Sequence, residues 1–160
     1  MRSAVVASVA TACALAAGAA PASAQTCPHP GTVDGQSVLI YCGPAKATVK
    51  VGATTFALTN GLCKKAVGNF YLSFGAVVTQ QTKHAPDSFL VIAGSSAKPA
   101  THDGTYSGTT VMMTRKGKGY LADALTLTLS HNTKAGTLAG TIESTTSNAK
   151  SAFHATFTCG

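Results

Sequence analysis

The stretch from residue 121 to residue 130 reads LADALTLTLS, and it decides the fold. Three leucines in it alternate with three hydroxyl residues: Leu125, Thr126, Leu127, Thr128, Leu129 and Ser130. Alternation with a period of two places every second side chain on the same face of a β-strand. The stretch therefore predicts a strand with a leucine face in the core and a hydroxyl face in solvent.

The C-terminal third of the chain repeats this pattern. Strand-like runs separated by turn-rich segments predict an antiparallel four-strand meander at residues 105–114, 121–130, 137–143 and 152–159. In the last run Phe153, Ala155, Phe157 and Cys159 share one face. We therefore expect the final cysteine to lie in the core.

The remainder of the chain is also rich in strand signals. Thr, Gly, Val and Ala dominate and Trp is absent, a composition that favours strands joined by turns. Further strands are predicted at residues 38–42, 45–51, 54–58, 69–78 and 89–93. Tight turns are predicted at Gly52-Ala53 and Asn60-Gly61, an irregular leader at 25–36, exposed loops at 79–88 and 94–104, and at most a short helix near 62–67 or 120–124.

These elements predict an all-β fold. Short strands with regular turns are typical of a small antiparallel β-sandwich or of a partly closed barrel, here with the C-terminal four-strand meander and two disulfides. The period of the pattern alone does not choose between the two architectures.

The N-terminus has the features of an export signal. Arg2 precedes an apolar run from residue 4 to residue 20, and Ala22-Ser23-Ala24 supplies the small residues of a cleavage site. We interpret residues 1–24 as a secretory signal peptide and residues 25–160 as a single domain. The domain is then expected to be extracellular, either free or associated with the cell envelope.

Cys13 offers an alternative interpretation, as the lipidated cysteine of a bacterial lipoprotein. A large aliphatic residue normally stands three places before such a cysteine, and the chain normally turns polar after it. Here Ala10 holds that position, and the apolar run continues to Ala20. We therefore favour a cysteine that is discarded with the signal peptide.

Four cysteines remain after cleavage, and an even number in an exported chain indicates two disulfides. They are Cys27, Cys42, Cys63 and Cys159. Their spacing contains no C-x-x-C pair, so it supports neither a zinc knuckle nor a thiol-disulfide redox site. Three pairings of the four cysteines remain open.

The chain is basic, with 12 Lys and Arg against 5 Asp and Glu. Arg2 lies in the signal peptide, so the domain would carry 11 basic groups and a formal charge of +6. Two clusters provide the candidate polyanion contacts: Lys64 and Lys65, and Arg115, Lys116 and Lys118, of which the latter is typical of a hairpin tip. Expected partners are anionic cell-wall polymers or a membrane surface, or else a secreted or host protein. No nucleic-acid-binding signature accompanies the charge.

The residues that usually carry catalysis are scattered. Five histidines lie mostly in predicted loops: His29, His84, His102, His131 and His154. No two carboxylates are placed to converge, and no known catalytic or phosphate-binding motif occurs. We therefore expect no metal, no cofactor and no enzymatic activity.

Three alternatives to a plain binding domain stay open. An exposed loop at 79–88 or 94–104 could belong to a protease inhibitor or a toxin-like effector. A small hydrolase would use the neighbours His84 with Asp87 or His102 with Asp103, beside Ser88 and Ser107. Tyr41, Tyr71, Tyr106 and Tyr120 could form a sugar-stacking platform, although edge packing of these rings is the favoured interpretation.

Several short motifs occur in an order that resembles the mycobacterial 19-kDa lipoprotein antigen family. They are Val33-Asp34-Gly35, a strand that ends at Cys42, Val49-Lys50-Val51-Gly52, and the closing Phe157-Thr158-Cys159. The resemblance implies a β-rich cell-envelope domain that contacts the host or the wall and has no catalytic role. It also implies that Cys42 pairs with Cys159, which leaves Cys27 to pair with Cys63.

Overall fold

The computed structural model describes residues 26–78 and 86–160. The predicted signal peptide with Cys13, the residue His84 and most of the predicted loop 79–88 lie outside these residues. The described part contains ten β-strands and no helix: β1 (His29–Val33), β2 (Gln36–Ile40), β3 (Ala45–Val51), β4 (Thr54–Ala66), β5 (Asn69–Val78), β6 (Ser88–Ala93), β7 (Gly104–Arg115), β8 (Lys118–Ser130), β9 (Ala135–Ser144) and β10 (Lys150–Thr158).

The eight strands from β3 to β10 form a closed antiparallel barrel. Each strand pairs with the next one along the chain, and β10 pairs with β3 to complete the ring. The all-β prediction and the C-terminal meander, which is formed by β7 to β10, are both confirmed. Of the two predicted architectures the structure is the barrel.

The barrel interior is filled by the alternating inward side chains. Leu125, Leu127 and Leu129 are at most 2% exposed, as the leucine face of β8 predicts. Aromatic rings occupy the centre, where the centroids of Phe89 and Phe153 are 6.2 Å apart. Eight strands enclose just enough space for such side chains to fill, so ligand access is confined to the ends and to openings in the wall.

The segment predicted as an irregular leader is instead a hairpin of β1 and β2 outside the barrel. Asp34 and Gly35 both have positive φ values, 51° and 75°. This is the conformation that a two-residue type I′ turn requires, and Asp-Gly is one of its preferred sequences. The prediction of an irregular segment was wrong because Pro28, Pro30 and Gly31 outweighed this turn signal.

Strand β4 continues through the predicted turn at Asn60-Gly61, so that turn and the short helix near 62–67 are both wrong. Asn60 has a φ of 61°, and the register between β3 and β4 shifts beside it, between Ala45 and Ala47. The extra residue forms a β-bulge that bends the strand rather than reversing it. The ring of Phe74 lies where a side chain at Gly61 would be. Residues 120–124, the other candidate helix, belong to β8.

The bend separates β4 from β5 at one end of the barrel. β4 pairs with β3 along its first half, but it pairs with β5 only from Leu62 to Ala66. The far end of β5, from Ala76 to Val78, pairs with β2 instead. We call this the split end, and we call the gap between residues 54–60 of β4 and strand β5 the lateral cleft. The opposite end, with the β4–β5 turn at Val67-Gly68, is the sealed end.

The two predicted disulfides are present, but the pairing implied by the family resemblance is wrong. Cys27 pairs with Cys42 and Cys63 pairs with Cys159, each with a Cα–Cα distance of 5.6 Å. The β1–β2 hairpin brings Cys27 and Cys42 together, because they flank it. At the sealed end β3 begins only at Ala45, so beyond this residue no strand separates Cys63 on β4 from Cys159 after β10.

Candidate functional site

The two predicted cation clusters lie at opposite ends of the barrel. Lys116 and Gly117, with φ values of 49° and 72°, form the two-residue turn between β7 and β8 at the split end. The predicted hairpin tip is therefore present. Lys64 and Lys65 lie near the end of β4, at the sealed end. The structure keeps the clusters apart, so a single contact site cannot contain both.

Arg115 connects the hairpin tip to the rest of the split end. Its Nη1 donates a hydrogen bond to Oδ2 of Asp87 over 2.6 Å, and the other carboxylate oxygen of Asp87 accepts one from the Lys116 amide, also over 2.6 Å. The Arg115 guanidinium carbon lies 4.7 Å from the ring centroid of Phe56 on β4, within the range of a cation–π contact. Asp87 thus fixes the turn, and Arg115 reaches across the barrel opening to β4.

A cavity of about 410 Å³ opens beside this arginine. We call it the basic recess and define it by an apolar set, Phe56, Met113 and Tyr120, and a cationic set, Arg115, Lys116 and Lys118. Lys116 and Lys118 are exposed. Within residues 26–78 and 86–160 the only ion pair joins Arg115 to Asp87. The two lysine charges of the recess are therefore not offset by a bound carboxylate.

The lateral cleft continues from the recess along the side of the barrel. An apolar cavity of about 120 Å³ lies between Phe56 and Leu58 on β4 and Phe74 and Phe89 on the facing strands. A shallower depression of about 480 Å³ borders it, between Thr59-Asn60 of β4 and the β1–β2 hairpin with the end of β5. The lateral cleft is therefore lined by apolar side chains, and on its β4 side the strand is not paired with β5.

The two aspartates of the hydrolase hypothesis, Asp87 and Asp103, hold turns in this structure. His102 Nδ1 lies 3.0 Å from Thr101 Oγ1, whereas Asp103 accepts hydrogen bonds from the amides of Thr133 and Asn132, over 2.7 Å and 3.0 Å. These two hydrogen bonds lower the pKa of Asp103 below its ordinary value, and the bond from Thr133 has the larger effect. Asp87 is bound to Arg115, as shown above. Among the described residues no group of three metal-ligating side chains occurs.

The tyrosines do not gather into one platform. The Tyr106 ring is buried and its hydroxyl donates to the His102 carbonyl oxygen over 2.8 Å. Tyr71 accepts a hydrogen bond from Asn69 on β5. Tyr120 lines the basic recess, and Tyr41 lines the shallow depression of the cleft. Tyr120 and Tyr41 thus line cavities, and they do so at separate openings.

Two important residues of this site, Phe56 and Asp87, were not predicted to belong to it. Phe56 reads in the sequence as an ordinary core position of a strand. Asp87 is 28 residues from Arg115 and meets it only because β6 and β7 pair side by side. The alternation of residues 54–58 is a signal for the inward direction of Phe56, but no local pattern connects it to the arginine.

The fold and the site together define a class: a disulfide-stapled, closed antiparallel β-barrel with an added hairpin and a basic recess at one end. Comparison with known proteins finds no family model, no curated protein and no solved structure that matches the chain. In the described part of the chain, no helix is long and apolar enough to span a bilayer. The resemblance to the lipoprotein antigen family stays a prediction.

Proposed function

We propose that the protein is a non-enzymatic binding domain that works outside the cell, free or attached to the envelope, and that it binds anionic cell-wall polymers through the basic recess. The observation that carries the proposal is the arrangement of Arg115, Lys116 and Lys118 around one cavity of about 410 Å³. Arginine and lysine are the side chains that recognise phosphate and carboxylate groups. A polymer presents many such groups, so weak contacts would add up.

The shape of the site favours a polymer over a flat membrane surface. A concave recess takes up a projecting group, and Phe56, Met113 and Tyr120 supply apolar contact area around it. The location is supported by the two disulfides, which are compatible with an oxidising extracellular environment, and by the export signal in the sequence.

Paired charge variants test the proposal. Lys116→Gln with Lys118→Gln removes two cations from the recess, and Lys64→Gln with Lys65→Gln removes two from the sealed end. A lysine near an anionic surface contributes about 1 kcal/mol, so we expect the first pair to weaken retention on purified cell wall roughly tenfold or more. The second pair should have little effect. Binding of the unmodified protein should fall as salt is raised, because salt screens exposed charges.

Three results would overturn the proposal. The first is that the unmodified protein is not retained on cell wall even at low salt. The second is an equal loss for both variant pairs, which would mean that net charge alone, and not the recess, governs retention. The third is retention on anionic vesicles but not on cell wall, which would assign the cations to a lipid surface instead.

A further inference from the structure

The lateral cleft exposes backbone hydrogen-bonding groups of β4 in a regular row. The Gly52 amide donates a hydrogen bond to the Ala152 carbonyl on β10. The even-numbered residues of β3 therefore direct their backbone N–H and C=O groups to β10, and the odd-numbered residues direct theirs to β4. The partners of those odd-numbered residues are Thr54, Phe56 and Leu58. The alternate residues of β4 therefore direct their N–H and C=O groups away from β3: Thr55, Ala57 and Thr59.

No described strand accepts these groups. The pairs of β4 with β5 begin only at Leu62, and across the cleft the end of β5 is occupied by β2. An open edge of this kind is the template on which another extended chain can pair. The edge runs over about five residues, from Thr55 to Thr59, which is the length of a typical strand.

Among the described strands β1 also has an open outer edge, and that edge contains a proline whereas the open edge of β4 does not. The two-residue Asp34-Gly35 turn makes Val33 and Gln36 a hydrogen-bonded pair, so the N–H and C=O groups of Val33 and, two residues earlier, of Gly31 point to β2. Pro30 therefore occupies an outward position where an N–H would otherwise be exposed. Residues 54–59 of β4 include no proline and no charged residue. Natural sheets usually block open edges with such residues, so the unblocked edge of β4 is suited to pairing.

We propose that the open edge of β4 binds an extended, acidic segment of a partner protein by strand addition. One inward side chain of the added strand would fill the cavity of about 120 Å³ between Phe56, Leu58, Phe74 and Phe89, so it must be small and apolar. The acidic character follows from charge complementarity, because Arg115, Lys116 and Lys118 stand at one end of the cleft and the whole chain has a formal charge of +7. This inference does not depend on polymer binding at the recess.

The test uses a labelled peptide of alternating valine and glutamate, eight residues long, and fluorescence anisotropy. In a strand, the amides of one alternate set all point to one side and those of the other set to the opposite side. We therefore expect N-methylation of one set, either the valines or the glutamates, to weaken binding at least tenfold, while methylation of the other set changes it less than threefold. The protein is unaltered in this comparison, so its folding is not in question.

Protein variants locate the edge. Ala57→Pro removes an outward N–H of β4 and is expected to weaken peptide binding at least tenfold, whereas Thr32→Pro makes the matched change on β1 and should leave it unchanged. Ala57→Pro should retain cell-wall binding, which Lys116→Gln with Lys118→Gln should weaken roughly tenfold or more, so the two proposals fail separately.

Absence of peptide binding, or equal binding of both methylated peptides, would overturn strand addition. A dimer of the protein that Ala57→Pro abolishes, without peptide binding, would also overturn it and would assign the edge to a second copy of the chain.

Discussion

The two ends of the barrel differ in the contacts that β4 makes there. At the sealed end, β4 pairs with β5 from Leu62 to Ala66, and beyond the start of β3 the Cys63–Cys159 disulfide joins β4 to the segment after β10. At the split end, β4 has lost β5 as a partner, and the main link across the opening is the contact of Arg115 with Phe56. The disulfide that closes the longer loop lies at the sealed end, and the basic recess and the lateral cleft lie at the split end.

One aspartate at each end holds a hairpin turn, which makes the comparison direct. Asp103 accepts the amides of Asn132 and Thr133 in the β8–β9 turn, and Asp87 accepts the amide of Lys116 in the β7–β8 turn. At the sealed end the hydrogen bonds of Asp103 go to the turn. At the split end Asp87 also binds Arg115, so the turn is tied to the cations of the basic recess.

The largest expected difference between the two regions is in the effect of their disulfides. Replacing Cys63 and Cys159 by serine opens a covalent loop of 96 residues, whereas replacing Cys27 and Cys42 opens one of 15. Loop-closure entropy then predicts losses in the free energy of unfolding of about 5 kcal/mol and about 3 kcal/mol. Urea unfolding of the two double variants measures both. An equal or larger loss for Cys27 and Cys42 would contradict the assignment of the constraint to the sealed end.

The sequence predicted the regular parts of this comparison and missed the irregular ones. The alternation in 121–130 predicts β8 correctly, and the predicted bounds 45–51 coincide with β3, because burial of one face enforces a period of two. The same kind of signal misled at Asn60-Gly61: an asparagine with positive φ serves a bulge as readily as a turn. The choice between a bulge and a turn depends on the ring of Phe74, which packs over Gly61 from the neighbouring strand β5 and is 13 residues away in the sequence.

The site was predictable only where its residues are neighbours in the chain. Arg115, Lys116 and Lys118 were recognised because they are adjacent, and their place at a hairpin tip follows from the glycines around them. Their partner Asp87 and the ring of Phe56 come from other strands, and only closure of the barrel brings them to the arginine. The disulfide pairing was missed for the same reason, since it depends on where β3 begins.

A leucine pair provides the next largest test. Leu127 on β8 is fully buried, whereas Leu58 on β4 is half-buried and lines the lateral cleft. We expect Leu127→Ala to lower the free energy of unfolding by about 2–5 kcal/mol, the cost of a cavity in a packed core. Leu58→Ala should cost about 1 kcal/mol, because part of its side chain already contacts solvent and the lateral cleft lies beside it. Similar losses in urea unfolding would mean that the cleft is packed as tightly as the barrel centre.

The smallest expected effect concerns Asp103, and it depends on pH. The amide hydrogen bonds from Thr133 and Asn132 lower the pKa of this carboxyl below the ordinary value of 3.8, so the folded state favours the charged form more than the unfolded state does. The resulting contribution to stability is present above pH 3.8 and is lost as the pH falls through the lowered pKa. The carboxylate is exposed, so water screens its interactions and the contribution is small.

Asp103→Asn should therefore be less stable than the unmodified protein at neutral pH, and the difference should vanish well below pH 3.8. Urea midpoints of both proteins from neutral pH down to about pH 2 provide the measurement. Asp123→Asn, at an exposed position of β8, is the matched control for the loss of one negative charge. If the urea midpoint of Asp103→Asn instead differed from that of the unmodified protein by the same amount at every pH, the charge of Asp103 would not be the cause of the difference. The β8–β9 turn would then owe its stability to the shape of the side chain alone.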